Sequence, residues 1–141
     1  MFTLENKKFI ESIAKHWLIR NIVFSTEIAE FIGCQFALES NFGISRLAII
    51  SRNYCGMKPA FRRVSYRIYE KDDNGFAVFD SLDSCVLDYV SWIYYNRPNK
   101  QELTYLDSFI IFLRNSGYCP EKDYISKIQS IYQQFKNYKN E

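Results

Sequence analysis

The chain has 141 residues, of which 48% are hydrophobic and 24% charged, with a net charge of +2. That length holds one core and leaves too little for two, so a single domain over residues 1–141 is expected. The near-neutral charge gives no support for nucleic-acid binding, and no apolar run approaches the length of a membrane span.

Residues 1–17 lack the apolar segment of a secretory signal, because Glu5 and Glu11 interrupt them. A cytosolic protein is expected, or one exported by a route the sequence does not show. Residues 3–20 read as a first helix, with Phe9, Ile10, Ile13 and Trp17 at helical spacing. His16, at the edge of that face, reads as a packed or surface side chain rather than a base. A second helix is expected from Ser25, a good N-cap, to about Ser40, where Asn41 and Gly43 stop it. Residues 44–50 read as a short third helix, and residues 52–58 as a loop closed by Pro59.

Over residues 61–80 the period changes. Val64, Tyr66 and Ile68 alternate with Ser65 and Arg67, which is a strand pattern. Asp72-Asp73-Asn74-Gly75 is a turn signal, and Phe76-Ala77-Val78-Phe79 a return strand. A small β-hairpin beside a helical body is therefore expected. Ser81 then caps a helix with Val86, Tyr89, Val90 and Ile93 on its apolar face, broken near Pro98. Residues 102–113 form another helix, ended by Asn115-Ser116-Gly117. Pro120 suits the first turn of a last one over residues 121–138. Ile125, Ile128, Ile131, Tyr132 and Phe135 give that helix an apolar stripe.

Aromatic residues reach 18%, with 11 Tyr and 12 Phe; most are expected in the core, some in a groove that stacks sugar rings. The four cysteines, Cys34, Cys55, Cys85 and Cys119, are widely spaced, and His16 is the single histidine. Zinc sites need tighter ligand pairs, so no metal and no cofactor are expected. The cysteines read first as free buried thiols. Disulfides are open to them in an oxidising compartment, and no pairing follows from the sequence.

Glu39 is the unusual residue. With about 100° per residue and Ile28 at zero, Ile32 falls near 40°, Phe36 near 80° and Glu39 near 20°. Glu27 and Glu30 fall near 260° and 200°, where solvated charges belong. A carboxyl on the buried stripe loses solvent, which favours its neutral form, and a neutral carboxylic acid is what a general acid must be. The plain alternative is a helix-end Glu that faces solvent or pairs with Arg46 or Lys58.

The run Gln35-Phe36-Ala37-Leu38-Glu39-Ser40-Asn41-Phe42-Gly43 is followed by Asn53-Tyr54-Cys55-Gly56-Met57-Lys58. Phe76-Ala77-Val78-Phe79-Asp80-Ser81, Asp88-Tyr89, Ser116-Gly117-Tyr118 and Tyr124 come after. Together, over about residues 9 to 135, they resemble the bacterial glucosaminidase domain, a branch of lysozyme-like peptidoglycan hydrolases. The family's first motif usually reads A-Q-x-A-L-E-S-G-W-G and its second N-N-x-F-G-I-K. Here Asn41 replaces the usual Gly and Phe42 the usual Trp, and Cys34 and Cys55 are atypical.

The resemblance implies an α+β, mostly α, lysozyme-like domain with a β-hairpin lobe flanking an active-site groove. It implies an endo-β-N-acetylglucosaminidase acting on peptidoglycan glycan strands, as a monomer, at the cell wall or in the periplasm. Glu39 would protonate the departing glycosidic oxygen. Glu70 is the best candidate for a second acid, ahead of Asp72 and Asp73, serving as base toward water; in the family the substrate's own N-acetyl group is an alternative. Tyr118 and Tyr124 resemble family tyrosines near the cleft, Tyr54 and Phe42 are candidates to line subsites, and Asn53 resembles a loop-positioning amide. Gly56 would supply a backbone conformation. Two other readings accompany this one: a lytic transglycosylase or muramidase, and an inactive glycan-binding or assembly module of the same fold.

Overall fold

The computed structural model describes residues 1–67 and 74–139. Its elements are helices α1 (Leu4–Ala14), α2 (Trp17–Ile22), α3 (Thr26–Ser40), α4 (Arg46–Ser51) and α5 (Leu82–Asn96), then α6 (Leu106–Ser116) and α7 (Tyr124–Asn137). A 3₁₀ turn, Lys100–Leu103, precedes α6. The described residues form a mostly helical fold.

Helix α3 is the axis of the core. It packs against α1, α6 and α7, and ten of its fifteen residues are buried, so it is wrapped on nearly every side. Its contact with α1 depends on Gly33: a Cβ there would lie 2.6 Å from the Ile10 carbonyl oxygen, so any side chain would push the two helices apart. Phe31, Phe36, Tyr89 and Phe109 are the large side chains that fill the centre with Ile10, Ile13, Ile28 and Ile128. Helix ends follow local chemistry. The Ser25 hydroxyl accepts from the Ile28 N–H, the Ser81 hydroxyl from the Ser84 N–H, and Asn41 closes α3 in the left-handed region.

Three expectations need correction. The first helix does not run through residues 3–20. It stops at Ala14, and His16 starts α2 as its N-cap, with Nδ1 accepting from the Leu18 N–H. The other ring nitrogen, Nε2, lies 2.7 Å from Asp83 Oδ1 on α5. The helix expected over residues 102–113 is likewise divided: Asn99 and Glu102 make a reciprocal cap for the 3₁₀ turn, and α6 begins only at Leu106.

The third correction is the hairpin. No β-hairpin lobe is formed among the described residues; Val78 is a single bridge residue, and residues 68–73, which include Ile68, Asp72 and Asp73, lie outside them. The described ends of that segment bond to other parts of the chain. The Ala77 N–H donates to the Met57 carbonyl and the Phe79 N–H to the Ser51 carbonyl, so the return segment is laid along the loop after α4. The segment before the turn is held elsewhere. The Tyr66 N–H donates to Asp88 Oδ1, and Arg63 pairs with Asp88 Oδ2 at 2.9 Å.

Candidate functional site

Glu39 sits in the last turn of α3, the most enclosed helix, one residue before Ser40. The Ser40 hydroxyl donates to the Phe36 carbonyl and accepts from the Gly43 N–H, which fixes the bend that follows. From this bend the Glu39 carboxyl reaches an open groove of about 490 Å³, a size suited to a ligand site. Met57, Lys58, Arg63, Phe76, Trp92 and Tyr118 line it with Glu39. A larger hollow of about 670 Å³ lies between α2 and α5, but no described carboxylate lines it. Glu39 forms no ion pair with Arg46 or Lys58 among the described residues.

The floor under the carboxyl is the loop from Asn53 to Lys58. Asn53 is fully buried and builds that loop from within. Its Nδ2 donates to the Met57 and Ala77 carbonyls at 2.8 and 2.9 Å. Its Oδ1 accepts from the Cys55 and Met57 N–H groups. Both amide hydrogens are committed, so Asn53 shapes the floor and has none left for a ligand. Gly56 is the point of contact with the acid. Its φ is +68°, and a Cβ on it would lie 2.8 Å from Glu39 Oε1 and 2.9 Å from Cδ. Only glycine satisfies both the left-handed backbone and the approach of the carboxyl.

Behind Glu39 runs a chain of buried hydrogen bonds. The Tyr89 hydroxyl donates to Gln35 Oε1 at 2.6 Å. Gln35 Nε2 donates to the Tyr124 hydroxyl at 3.0 Å, which donates to Glu39 Oε2 at 2.9 Å. Tyr118 flanks this chain: its ring stacks on Tyr124 with centroids 6.1 Å apart, and its hydroxyl donates to the Cys55 carbonyl at 2.6 Å. Trp92 meets Tyr118 edge to face at 4.7 Å.

These surroundings set the proton affinity of the acid. Loss of solvent is the largest influence and raises the Glu39 pKa above the usual carboxyl value; the Tyr124 hydrogen bond lowers it, and the Glu121 charge raises it. Burial also raises the phenol pKa values of Tyr89, Tyr118 and Tyr124, so all three remain hydrogen-bond donors through neutral pH. The arrangement can hold a carboxylic acid in its protonated form beside an aromatic-lined groove. Among the described residues, Glu39 is the one carboxylate that lines the groove. No group of three or more His, Cys, Asp or Glu side chains among them is placed to hold a metal ion.

The structure brings together Glu39, Tyr118 and Tyr124, with Asn53 beneath them. It places Phe42 elsewhere, edge to face with Phe2 and Phe9 at the far end of α1. Tyr54 packs against the core, and its N–H donates to Cys85 Sγ. Neither is among the described residues lining the groove. Glu70 lies outside the described residues. Sequence reasoning passed over Gln35, Trp92 and Arg63. Gln35 carried a signal: on the same wheel it falls near 340°, within about 40° of Glu39 and one turn before it. Trp92 had none, since its spacing is that of any core aromatic on α5.

Similarity to known proteins bears on the fold and the family. Residues 26–137 match the family model described as glucosaminidase, mannosyl-glycoprotein endo-beta-N-acetylglucosaminidase. No curated relative matches the sequence. A chain of the type VI secretion system effector–immunity complex from Pseudomonas protegens superposes with a TM-score of 0.71 at 16% identity, covering 95% of this chain and 93% of that one. The catalytic domain of the autolysin Auto from Listeria monocytogenes superposes with a TM-score of 0.64 at 21% identity, covering 96% and 87%. At these identities the two structures establish the fold, which is lysozyme-like, and the matched segment runs from the first turn of α3 to the last of α7. It contains Glu39, the floor loop, Tyr118 and Tyr124, and on that match the chain belongs to the glucosaminidase family.

Proposed function

We propose that the protein is a peptidoglycan hydrolase of the endo-β-N-acetylglucosaminidase type, with Glu39 as its general acid. One observation carries the reading: a half-buried carboxyl with a raised pKa, hydrogen-bonded to Tyr124, opens onto a groove walled by Trp92, Tyr118 and Phe76. A β-1,4-linked glycan lies along the groove with its sugar faces against the rings. Glu39 gives its proton to the glycosidic oxygen as the bond to C1 breaks, so the sugar leaves as a neutral alcohol. Glu70 takes a proton from the water that attacks C1 on the opposite face. The natural site of action is the cell wall or the periplasm.

The test is digestion of purified peptidoglycan, with the new ends identified by mass spectrometry. A reducing N-acetylglucosamine end is expected, and Glu39→Gln should reduce its formation by about 10²- to 10⁴-fold, the share a general acid contributes. Digestion that survives Glu39→Gln refutes the role of the acid. Glu70→Gln should cost a similar factor; full activity would leave the substrate's N-acetyl group as the internal nucleophile. A second reading is favoured by the single described carboxylate in the groove: in a lytic transglycosylase the sugar's own hydroxyl closes the ring, and one carboxyl serves first as acid and then as the base that takes that hydroxyl's proton. An anhydromuramic end would establish that reading. Binding without digestion would make the domain a glycan-binding module.

A further inference from the structure

Two thiols outside the chemistry described so far face one another beneath the groove. Cys55 lies in the floor loop, Cys85 in the first turns of α5, and both are fully buried. Their sulfurs are 3.4 Å apart although the residues are thirty positions apart in sequence. The surroundings hold them there. The Tyr54 N–H donates to Cys85 Sγ, the Cys55 N–H to Asn53 Oδ1, and the Cys55 carbonyl accepts from the Tyr118 hydroxyl. The other two cysteines have no such neighbour: Cys34 is enclosed in α3, and Cys119 lies at the rim of the groove.

We propose that Cys55 and Cys85 form a disulfide that ties the floor of the groove to α5, and that it closes when the chain folds in contact with an organic disulfide. A disulfide bond is about 2.05 Å long, so the sulfurs need move together by little more than 1 Å. The chemistry is two exchanges. One cysteine thiolate attacks an organic disulfide, forms a mixed disulfide and releases one organic thiolate; the other thiolate attacks the mixed disulfide at the protein sulfur and releases the second. Two protein thiols are oxidised, one organic disulfide is reduced to two thiols, and the two cysteine protons pass to solvent or to the released thiolates.

Timing follows from burial. Neither sulfur is open to an exchange partner in the folded chain, and burial holds the Cys55 thiol well above its usual pKa, so its thiolate is scarce there. The bond is made during folding, not afterwards. A chain folded in a reducing compartment keeps both thiols; one folded in an oxidising compartment gains the clamp. The bridged loop contains Lys58, Arg63 and Phe76, so the clamp fastens one wall of the groove.

The experiment uses the full chain, unfolded and reduced, then refolded in mixed reduced and oxidised glutathione. Thiols are counted in denaturant, and linked peptides are mapped without reduction. The count should fall from four to two, with Cys55 linked to Cys85 and with Cys34 and Cys119 alkylated. The thermal midpoint should rise by roughly 10–15 °C over that of the reduced protein, as cross-linking a loop of this length implies. Cys85→Ala should abolish both the linkage and the rise. Four free thiols after refolding, a linkage involving Cys34 or Cys119, or a rise that persists in Cys85→Ala would overturn the proposal. None of these readouts depends on glycan cleavage, so the clamp and the glycosidase reading stand or fall separately.

Discussion

Replacing Gly56 by alanine tests whether the acid is seated by the loop beneath it. The substitution acts in two ways. Alanine in the left-handed region costs about 1–2 kcal/mol, which for a chain of this size lowers the thermal midpoint by roughly 3–8 °C. Its methyl group would also stand 2.8 Å from Glu39 Oε1 and 3.3 Å from Oε2, about 0.6 Å inside ordinary contact for the nearer oxygen. The loop is fixed by Asn53 and by the Ala77 N–H bond to Met57, so the carboxyl gives way. Misplacement of a catalytic group by about 1 Å costs on the order of 10²-fold, and kcat on peptidoglycan should fall roughly 10- to 100-fold with KM little changed. Gly56→Asn separates the two effects, since asparagine tolerates the left-handed backbone but carries the same Cβ. It should lose as much activity for a smaller loss of stability. If both variants keep wild-type kcat while melting earlier, the carboxyl is not seated by this contact and the argument for the floor loop fails.

Three further outcomes follow from contacts around the acid. Burial raises the folded pKa of Glu39, so its contribution to stability is full below the unfolded carboxyl value and is lost as pH rises through the folded one. Glu39→Gln should therefore melt above the wild type at pH 7, by a margin that shrinks toward pH 4; a margin independent of pH contradicts the buried acid. Tyr124→Phe removes the hydrogen bond that holds the Glu39 pKa down and leaves Gln35 Nε2 without its acceptor. It should move the alkaline limb of the kcat profile to higher pH and cost about 1–3 kcal/mol in urea unfolding; an unmoved limb refutes the coupling. Asp88→Ala strands Arg63, which is 7% exposed and paired at 2.9 Å, and frees the Tyr66 N–H. A loss of about 3–5 kcal/mol in urea unfolding is expected, and a loss below about 1 kcal/mol would mean that this pair does not hold the segment.

The legible parts of the sequence were those where local chemistry and burial agree. Ser25 and Ser81 cap helices as their residue types suggest, and helical arithmetic placed Glu39 beside the buried stripe of α3. What escaped was decided by distant partners. Asn74-Gly75 is a hairpin signal by local rules, but no local rule tells that Ala77 and Phe79 bond to Met57 and to Ser51 at the end of α4. The break after Ala14 has no glycine or proline to announce it; His16 makes it by serving as a cap, an uncommon use of that side chain. Phe42 was a candidate groove residue through the resemblance, in which it stands where the family usually has Trp. The left-handed turn at Asn41 and Phe42 sends its ring to Phe2 and Phe9 instead. The inner members of the hydrogen-bond chain, Gln35 and Tyr89, sit 54 positions apart, and although both fall in the motifs, nothing in the sequence says that they bond to each other.

That chain also assigns the hydrogen of a neutral Glu39 an address. In the sense shown, every link points one way, from Tyr89 through Gln35 and Tyr124 to a lone pair on Oε2 of Glu39. The oxygen so occupied is a poor place for the acid's own hydrogen, which falls to Oε1, the atom poised above Gly56. The interior thus selects which of two chemically equal oxygens carries the hydrogen, and on the proposed reading it does so before any substrate arrives.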